Sequence, residues 1–508
     1  EDLERLKWYG LYEHRPKGDG LFMMRLKIPA GQINSIQARE IGKLAQGYAR
    51  NNADITTRQD IQLHGLTIQD IPNIFDTIYK KLGLYQQFSC GDAPRNVTCC
   101  PLAGVDENEI VDCRDIAAPI SHMFKQAGKE FSNLPRKLKI AVGGCQDYCH
   151  APQINDIGIF GVTRIRNNSR ESGLGLMVGG GLRNTPHFAQ SLRVFLPPEP
   201  ELIKDLCRHI ALLFRQCHHL RENRLRARLK FHVADVGWQA FREALEKSLG
   251  YRLEHDESIV FPSGASHTDH MGIGKQKDGL YYVGVPIERG RITGDNLIKL
   301  ADLADKYGQN QTGRLATTIK QNIVLLNISP NHIDDLIKEL TDAKLSPNQH
   351  PLRSSLVSCT GMEFCNLAVV ETKQRAKEIL NYLEEHVQLT EPLFINISGC
   401  PNSCAHYQIA DIGLHGVTME HEGQRIEAFH VLLGAKIGED PQLARFVEIP
   451  TGKKLKVPSA IMHTVIENLI KTYQAEDNTS QGFAAWTRQQ DMHRLAMLLY
   501  PEGLKSNT

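Results

Sequence analysis

The sequence lacks the features that would assign the protein to a membrane, a secretory route or a nucleic acid. It contains no run of 18 apolar residues, so no membrane-spanning helix is expected. The first residues, Glu-Asp-Leu-Glu-Arg-Leu-Lys, include no apolar core of a signal peptide. Basic and acidic residues are balanced at 59 and 58, so bulk charge gives no reason to expect binding to nucleic acid. We therefore expect no membrane or nucleic-acid partners. The 12 cysteines, clustered in turns of a large chain, suggest a reducing compartment, and the cytoplasm is the expected location.

The sequence also lacks the glycine-rich fingerprint of a dinucleotide-binding fold. The glycine run at 179–181 has neither the strand–helix setting nor the acidic residue about 20 positions further on that such a site needs. No flavin-binding segment is evident either. Any electrons that the protein uses are therefore expected to arrive from a separate carrier.

Cysteine is plentiful, and four of the 12 cysteines form two short clips. The first clip is Cys359-Thr-Gly-Met-Glu-Phe-Cys365, and the second is Cys400-Pro-Asn-Ser-Cys404. Such clips are typical of soft-metal sites, with ordinary buried thiols and zinc as the alternatives. Zinc motifs usually separate paired cysteines by two to four residues, so the wider first clip favours an iron–sulfur cluster.

Together the two clips resemble the cluster motif of the sulfite and nitrite reductase family, and the resemblance extends over nearly the whole chain. It implies two cofactors, a siroheme and a [4Fe–4S] cluster. It further implies that Cys359, Cys365, Cys400 and Cys404 are the cluster ligands, and that Cys404 also bridges to the siroheme iron.

The chain repeats itself once. Asp19-Gly-Leu recurs at Asp278, Thr56-Thr-Arg-Gln-Asp recurs as Thr318-Ile-Lys-Gln-Asn, and Gly144-Cys recurs at Gly399. The offsets lie between 255 and 262 residues, which indicates a duplication with pseudo-two-fold symmetry and a cofactor at the junction. We expect an α+β fold of mixed sheets and helices.

The repeat and the resemblance together predict three domains. Paired ferredoxin-like halves at 1–85 and 265–345 form one domain, 86–262 carries the substrate-side basic residues, and 346–508 carries the cluster. Within the first half, apolar spacing predicts a strand over Phe22–Ile28 and a helix over Ser35–Arg50, with Ser35 as its N-cap.

Basic residues stand in the first half where the second half carries the cluster. Lys137 and Lys139 are two apart, so a strand would point both to one face and Arg136 to the other. The resemblance implies that Arg25, Arg95, Lys137 and Lys139 surround the substrate on the distal face of siroheme. It also implies siroheme contacts, which are Arg58, Gln62, His64, Arg136, Asn402 and Cys404.

The Lys-x-Lys pattern bears on the substrate. In the family, sulfite reductases usually carry Lys-x-Lys here, and nitrite reductases usually carry Lys-x-Asn. Lys137-Leu-Lys139 therefore favours sulfite as the substrate. The resemblance implies six-electron reduction of sulfite to sulfide with a ferredoxin-like electron donor, and we expect a monomer or a small homo-oligomer. Nitrite reduction to ammonia is the alternative, and a non-catalytic metal- or tetrapyrrole-binding scaffold is the minor one.

The first half has cysteines of its own. Cys145 and Cys149 correspond to Cys400 and Cys404 in the repeat, and Cys99 or Cys100 corresponds to Cys359. The counterpart of Cys365 falls near Val105 or Asp106, so that clip is incomplete. Remnants of the duplication are favoured, and the alternative is a second cluster that uses Cys90, Cys99 or Cys100 with Cys145 and Cys149. In some relatives, the positions of Tyr12 and Cys90 are joined by a thioether.

Overall fold

The computed structural model describes residues 2–145, 147–259, 269–309, 313–438, 440–476 and 482–501. The predicted domain boundary between 262 and 265 lies outside these residues. Within them, no helix is both long enough and apolar enough to cross a membrane.

Short strands and helices alternate along both halves. The strands of the first half are β1 (Leu11–Glu13), β2 (Leu21–Leu26), β3 (Gln32–Asn34), β4 (Asn52–Ile55), β5 (Ile61–Thr67), β6 (Pro94–Cys99), β7 (Leu138–Gly143), β8 (Ile157–Arg166), β9 (Ser169–Val178) and β10 (Gln190–Ser191). Its helices are α1 (Asp2–Leu6), α2 (Ser35–Tyr48), α3 (Ile71–Asp76), α4 (Arg114–Ala127), α5 (Pro200–Gln216), α6 (Leu229–Val236) and α7 (Trp238–Leu249).

The second half follows the same order. Its strands are β11 (Gly272–Lys275), β12 (Tyr281–Val285), β13 (Arg291–Thr293), β14 (Arg314–Thr317), β15 (Ile323–Ile328), β16 (Leu356–Ser358), β17 (Ile395–Ser398), β18 (Ile412–His421), β19 (Gln424–Leu433), β20 (Arg445–Phe446) and β21 (Lys456–Pro458). Its helices are α8 (Gly294–Tyr307), α9 (Ile333–Asp342), α10 (Leu352–Ser355), α11 (Lys373–His386), α12 (Met462–Glu476), α13 (Phe483–Gln489) and α14 (Met492–Leu499).

Two five-stranded sheets exchange a strand between the halves. Sheet 1 has the order β1-β2-β5-β4-β13, and sheet 2 has the equivalent order β11-β12-β15-β14-β3. β13 of the second half therefore pairs with β4, and β3 of the first half pairs with β14. Each half completes the sheet of the other, which confirms the predicted pseudo-two-fold duplication.

Helices α2 and α8 lie at the centre of this exchange and approach each other closely. A Cβ on Gly42 would lie 2.8 Å from the carbonyl oxygen of Gly294, so only glycine permits the contact. The predicted N-cap is wrong by one residue, because Asn34 caps α2 instead of Ser35. Asn34 ends β3 in an extended conformation, and its Oδ1 accepts a hydrogen bond from the Gln37 amide at 2.8 Å.

The other two sheets share a different plan. Sheet 3 has the order β10-β9-β8-β7-β6, and sheet 4 has the order β16-β17-β18-β19-β20, with β21 on β19. In each sheet three neighbouring strands are parallel, and a long antiparallel hairpin follows (β8–β9 or β18–β19). The carboxyl ends of the parallel strands lead into the cysteine loops, so the fold places both cysteine sets at equivalent edges. The α+β prediction is confirmed.

Three large hydrophobic clusters support these sheets. One draws residues from both halves, between 11 and 84 and between 283 and 345. A second lies mostly between 97 and 253, and a third lies between 352 and 500. The candidate site is located where sheets 1, 3 and 4 meet.

Candidate active site

The four cysteines of the two clips, which we call the open thiol set, follow two adjacent parallel strands. Cys359 comes directly after β16, while Cys400 and Cys404 follow β17. Cys365 lies in the turn between Cys359 and helix α11. The sheet therefore brings both clips to one edge, as their shared motif predicts.

Backbone and hydroxyl groups surround the sulfur atoms of this set. The Gly399 amide donates to Cys359 Sγ at 3.2 Å, and the Leu367 amide donates to Cys365 Sγ at 3.4 Å. Burial raises the pKa of Cys359 to about 12 and that of Cys400 to about 11. Both thiols therefore hold their protons until a metal displaces them, and the amides are then placed to stabilise the thiolate charge.

The spacing of the open thiol set distinguishes between kinds of metal site. A tetrahedral zinc ion with Zn–S bonds of about 2.3 Å holds its sulfurs about 3.8 Å apart. No three sulfurs of the open thiol set lie within 4.8 Å of one another in the described structure. The set is too wide for a single ion and fits a polynuclear iron–sulfur cluster.

Five basic residues of the first half form what we call the basic cluster. Its members are Arg25 on β2, Arg58 between β4 and β5, Arg95 on β6, Lys137 just before β7, and Lys139 on β7. All five are half-buried. Lys137 and Lys139 flank the fully buried Leu138.

Burial and mutual repulsion act on the lysines of the basic cluster. Burial, followed by the neighbouring Arg95 and Arg228, lowers the pKa of Lys137 to about 7. Burial and the Lys137 charge lower the pKa of Lys139 well below its usual range. Concentrated positive charge of this kind is costly unless an anion accompanies it.

Two buried carboxylates only partly balance the basic cluster. Asp60 lies among Arg25, Lys27, Arg58 and Arg95, yet burial still raises its pKa to about 6. The other, Asp156, is already held by Arg228 through bonds of 2.7 and 3.1 Å. The basic cluster therefore suits a ligand that brings several carboxylates, together with a small anionic substrate.

The arginines of the basic cluster are held by backbone oxygens and amides, which leaves part of each guanidinium available. Arg95 donates to the carbonyls of Ser89 at 2.5 Å and Gly91 at 2.7 Å. Arg58 donates to Asn155 Oδ1 at 2.5 Å and to two backbone carbonyls at 2.6 and 2.7 Å. The Nε atoms of both arginines are buried without a hydrogen-bond partner. Such unpaired donors are what a bound carboxylate would satisfy.

Arg25 is positioned by the neighbouring strand. With the Gln62 amide oriented to match its donors, the side-chain oxygen of Gln62 accepts from Arg25 Nη2 at 2.6 Å and from Nε at 2.9 Å. The two residues are also register partners on β2 and β5. Gln62 therefore lies beside Arg25 of the basic cluster, and its role in binding a cofactor stays a prediction.

The open thiol set and the basic cluster meet at Cys404. A thiolate at this position would raise the pKa of Arg25, Lys137 and Lys139, so its sulfur lies within electrostatic reach of all three. In addition, Thr57 Oγ1 donates to the Cys404 carbonyl oxygen at 2.8 Å, directly beside Arg58. Cys404 itself is solvent-exposed. The structure thus brings the predicted metal and anion residues to one junction.

Three other predicted contacts occupy different surroundings. His64 lies 3.3 Å from both His14 Nε2 and Asp54 Oδ2, and its ring stacks on Phe364 of the first clip. Arg136, just before β7, pairs with Asp92 at 2.9 Å.

Asn402, the third, hydrogen-bonds to the Cys400 sulfur, which lowers the pKa of that thiol against the larger effect of burial. The roles of all three in cofactor binding stay predictions.

The sequence argument missed two residues at the junction. His406 is buried beside Lys139 with a left-handed backbone (φ 59°), and its Nε2 has no hydrogen-bond partner. Lys320 is buried, and its ammonium lies 2.8 Å from the centre of the Phe394 ring. A signal for Lys320 was present, because it is the repeat counterpart of Arg58. Nothing in the sequence indicated His406.

Tyr12 and Cys90 lie together beside the basic cluster. The Tyr12 hydroxyl is hydrogen-bonded to Cys90, and burial, with a contribution from Cys90, raises its pKa to about 12. Arg25 Nη1 approaches Cys90 Sγ at 3.7 Å. The pair is therefore in contact, and the thioether between them stays a prediction that an intact mass two hydrogens low would support.

Comparisons with known proteins agree with this geometry. The family description "Nitrite and sulphite reductase 4Fe-4S domain" matches residues 90–253 and 352–495. The description "Nitrite/Sulfite reductase ferredoxin-like half domain" matches residues 14–81 and 273–343. Both descriptions match twice, in keeping with the duplicated sheets.

Individual relatives cover almost the whole chain. An assimilatory ferredoxin-dependent nitrite reductase of Haloferax mediterranei is 33% identical over 98% of this chain and 87% of its own length. A sulfite reductase [ferredoxin] of Mycolicibacterium paratuberculosis is 34% identical over 96% of this chain and 88% of its own. The solved structure of the Mycobacterium tuberculosis NirA protein superposes with a TM-score of 0.89 at 33% identity, covering 97% of this chain and 91% of that one.

Proposed function

The chain belongs to the nitrite and sulphite reductase family, and we propose that it reduces sulfite to sulfide in a six-electron reaction, with electrons from a ferredoxin-like protein. The family's cofactors are a siroheme and a [4Fe–4S] cluster. When bound, they supply the electron-transfer chemistry, and the protein supplies orientation and charge.

The proposed roles of the residues follow from their positions. The open thiol set would hold the cluster, with Cys404 shared with the siroheme iron. Arg58, Gln62, His64, Arg136 and Asn402 would hold the macrocycle or its carboxylates. The remaining basic residues, Arg25, Arg95, Lys137 and Lys139, would hold the oxygens of the substrate.

Proton supply is the second task of these basic residues. Each oxygen of sulfite leaves as water, so protons must reach it at the oxygen atom. In the protein without ligands, burial and neighbouring charges lower the pKa of Lys137 to about 7, so this lysine would release a proton more readily than an ordinary one. The arginines keep their protons and serve to bind and orient the anion.

The choice of sulfite over nitrite is supported by one observation above all. Lys137 and Lys139 both lie within electrostatic reach of Cys404, so two lysine side chains border the same junction, and a bound anion would hold both in the ammonium form. A second ammonium favours an anion that can carry two negative charges. Nitrite, which carries only one, is the second candidate. It is favoured by the Haloferax mediterranei relative, which is named for that activity and is as similar as the sulfite-named relatives.

We further propose the division into 1–85 with 265–345, 86–262 and 346–508, which the three hydrophobic clusters support. A single chain contributes every residue of the candidate site, so a monomer or a small homo-oligomer is sufficient. All 12 cysteines are free, which suits a reducing compartment such as the cytoplasm.

The test is steady-state reduction of sulfite and nitrite by the same preparation, with reduced ferredoxin or a reduced viologen as donor. The visible spectrum of that preparation would establish whether siroheme is present. We expect a tetrapyrrole spectrum and a higher kcat/KM for sulfite. A clearly higher value for nitrite would reverse the substrate assignment, and a spectrum without tetrapyrrole would favour the non-catalytic scaffold.

A further inference from the structure

A second group of thiols lies in the first half, at the place that corresponds in the repeat to the open thiol set. Cys100, Cys145 and Cys149, which we call the tight thiol set, have sulfur atoms that all lie within 4.8 Å of one another. All three are at most 3% exposed. Sulfur atoms this close could share one tetrahedral zinc ion, which holds its thiolates about 3.8 Å apart. No three sulfurs of the open thiol set lie within the same 4.8 Å limit in the described structure.

Two polar side chains converge on the same sulfur. His270 Nε2 lies 3.5 Å from Cys100 Sγ. Asp106, His270 and Cys100 also form a group whose ligand atoms lie within 4.8 Å of one another. Asp106 is 5% exposed, and its Oδ2 has no hydrogen-bond partner. Thiols that merely fill a core do not gather an imidazole and an unpaired carboxylate, so this arrangement indicates a ligand.

The number and kind of donors favour a single ion over an iron–sulfur cluster. The tight thiol set has three sulfurs, and the position that corresponds to Cys365 falls near Asp106. Cys99 adjoins Cys100 at the end of β6, while Cys90 borders Arg25 and Tyr12 instead. Three thiolates and one imidazole are a common donor set of structural zinc.

We propose that Cys100, Cys145 and Cys149 bind one Zn²⁺ ion as a second metal centre distinct from the cluster and the siroheme. His270, which lies close to Cys100 but outside the 4.8 Å group of the three thiols, would move toward Cys145 and Cys149 to become the fourth ligand. Asp106 is placed to orient the His270 imidazole from outside the ligand set. Binding replaces the thiol protons with the metal and involves no redox step.

The location gives this centre a structural role. Cys100 follows β6, Cys145 and Cys149 follow β7, and His270 leads into β11 of sheet 2. An ion held by all four would tie sheet 3 to sheet 2. β6 and β7 also carry Arg95 and Lys139, so the ion would stiffen the strands that present the basic cluster.

The first experiment is metal analysis of the holoenzyme, expressed with iron and zinc in the medium and passed over a chelating resin. We expect one zinc per chain in addition to the iron of one [4Fe–4S] cluster and one siroheme. Protein expressed with cobalt should show thiolate-to-Co²⁺ charge transfer and the d–d bands of a tetrahedral site. Because zinc is counted separately from iron and tetrapyrrole, this proposal and the proposed function can fail independently.

Variants then identify the ligands. Cys149→Ser and His270→Asn should reduce zinc to near zero while iron per chain is retained, and asparagine tolerates the left-handed backbone of His270 (φ 48°). Cys217→Ser is the matched control, because a serine can keep the hydrogen bond to the Leu213 carbonyl, and it should retain zinc. Wild-type protein without zinc would overturn the proposal, whether it carries extra iron, a disulfide or three titratable thiols.

Discussion

The tight and open thiol sets occupy equivalent places in a duplicated fold, yet they differ in size. Cys145 and Cys149 follow β7 as Cys400 and Cys404 follow β17, and each strand has a parallel neighbour that leads into a further cysteine. The second half has a complete first clip and holds its sulfurs apart. The first half lacks the counterpart of Cys365, and its sulfurs lie together. We therefore attribute the difference in size between the open and tight thiol sets to one residue, Cys365, which has no counterpart in the first half.

The basic cluster, in contrast, is present in the first half, and the second half carries Phe394 at the position that corresponds to Lys139. Lys139 and its repeat counterpart Phe394 are held alike, because their amides donate to Asp156 at 2.7 Å and to Asp411 at 2.9 Å. In the first half the residue at this position repels its neighbours, whereas in the second half Phe394 accepts Lys320 on its ring face. Equivalent backbone positions therefore carry a lysine of the anion site in the first half and a phenylalanine that covers the buried Lys320 in the second half.

The largest effect is expected from matched substitutions at the two equivalent cysteines. Cys404→Ser should abolish the siroheme spectrum and lower sulfite reduction by more than about 100-fold, since changing even outer groups of a metal site costs about 10–100-fold. Cys149→Ser should keep the iron content and the visible spectrum. Both variants would be compared by iron analysis, absorption spectra and steady-state rates. Equal loss of iron in Cys404→Ser and Cys149→Ser would contradict the proposal that only the open thiol set binds the iron–sulfur cluster.

The next effect concerns the ammonium group that the second half replaces with phenylalanine. Lys139→Asn removes a charge-assisted contact worth about 1.5–3 kcal/mol, so we expect the ratio of kcat/KM for sulfite to that for nitrite to fall by about 10–100-fold. The exposed Lys129→Asn is the control for loss of one charge and should leave the ratio unchanged. An unaltered ratio in Lys139→Asn would remove Lys139 from the specificity argument.

Local motifs made part of the site predictable. The clip from Cys400 to Cys404, the common face of Lys137 and Lys139, and the equivalence of the two halves all follow from short spacings in the sequence. The exchange of β3 and β13 could not be predicted, because strand pairing depends on contacts far apart in the chain. His406 was missed for a similar reason, since its importance comes from the lysine and arginine charges that folding brings around it.

The free energy of unfolding of the cofactor-free protein should depend on pH, because burying the basic cluster destabilises the folded state. Because the pKa of Lys137 falls from 10.5 to about 7, the unfolded chain binds more protons than the folded one between these pH values. Stability should therefore rise with pH in this window, by at most about 1.4 kcal/mol per unit from this residue. Lys137→Met should lose that dependence and be more stable near pH 7.

Urea midpoints of the cofactor-free wild type and Lys137→Met at pH 7 and pH 9 would measure this effect. Lys129→Met, at an exposed position, should behave like the wild type. The urea midpoints of Lys137→Met and the wild type could instead differ by the same amount at both pH values. That result would show that folding without a cofactor does not lower the pKa of Lys137.

The smallest effect is expected at the caps of the paired helices α2 and α8. Asn34 caps α2 with a reciprocal pair of hydrogen bonds to Gln37, of 2.8 and 3.1 Å, whereas Thr293 caps α8 with one bond of 3.1 Å to the Asn296 amide. Alanine at a cap costs about 0.5–2 kcal/mol, so Asn34→Ala should cost more than Thr293→Ala. Hydrogen exchange at the first turn of each helix would measure both costs locally, with Asn34→Ser as the control that keeps a cap. A larger loss of protection in α8 would mean that contacts between the two helices, rather than their caps, determine the local stability of the first helical turns.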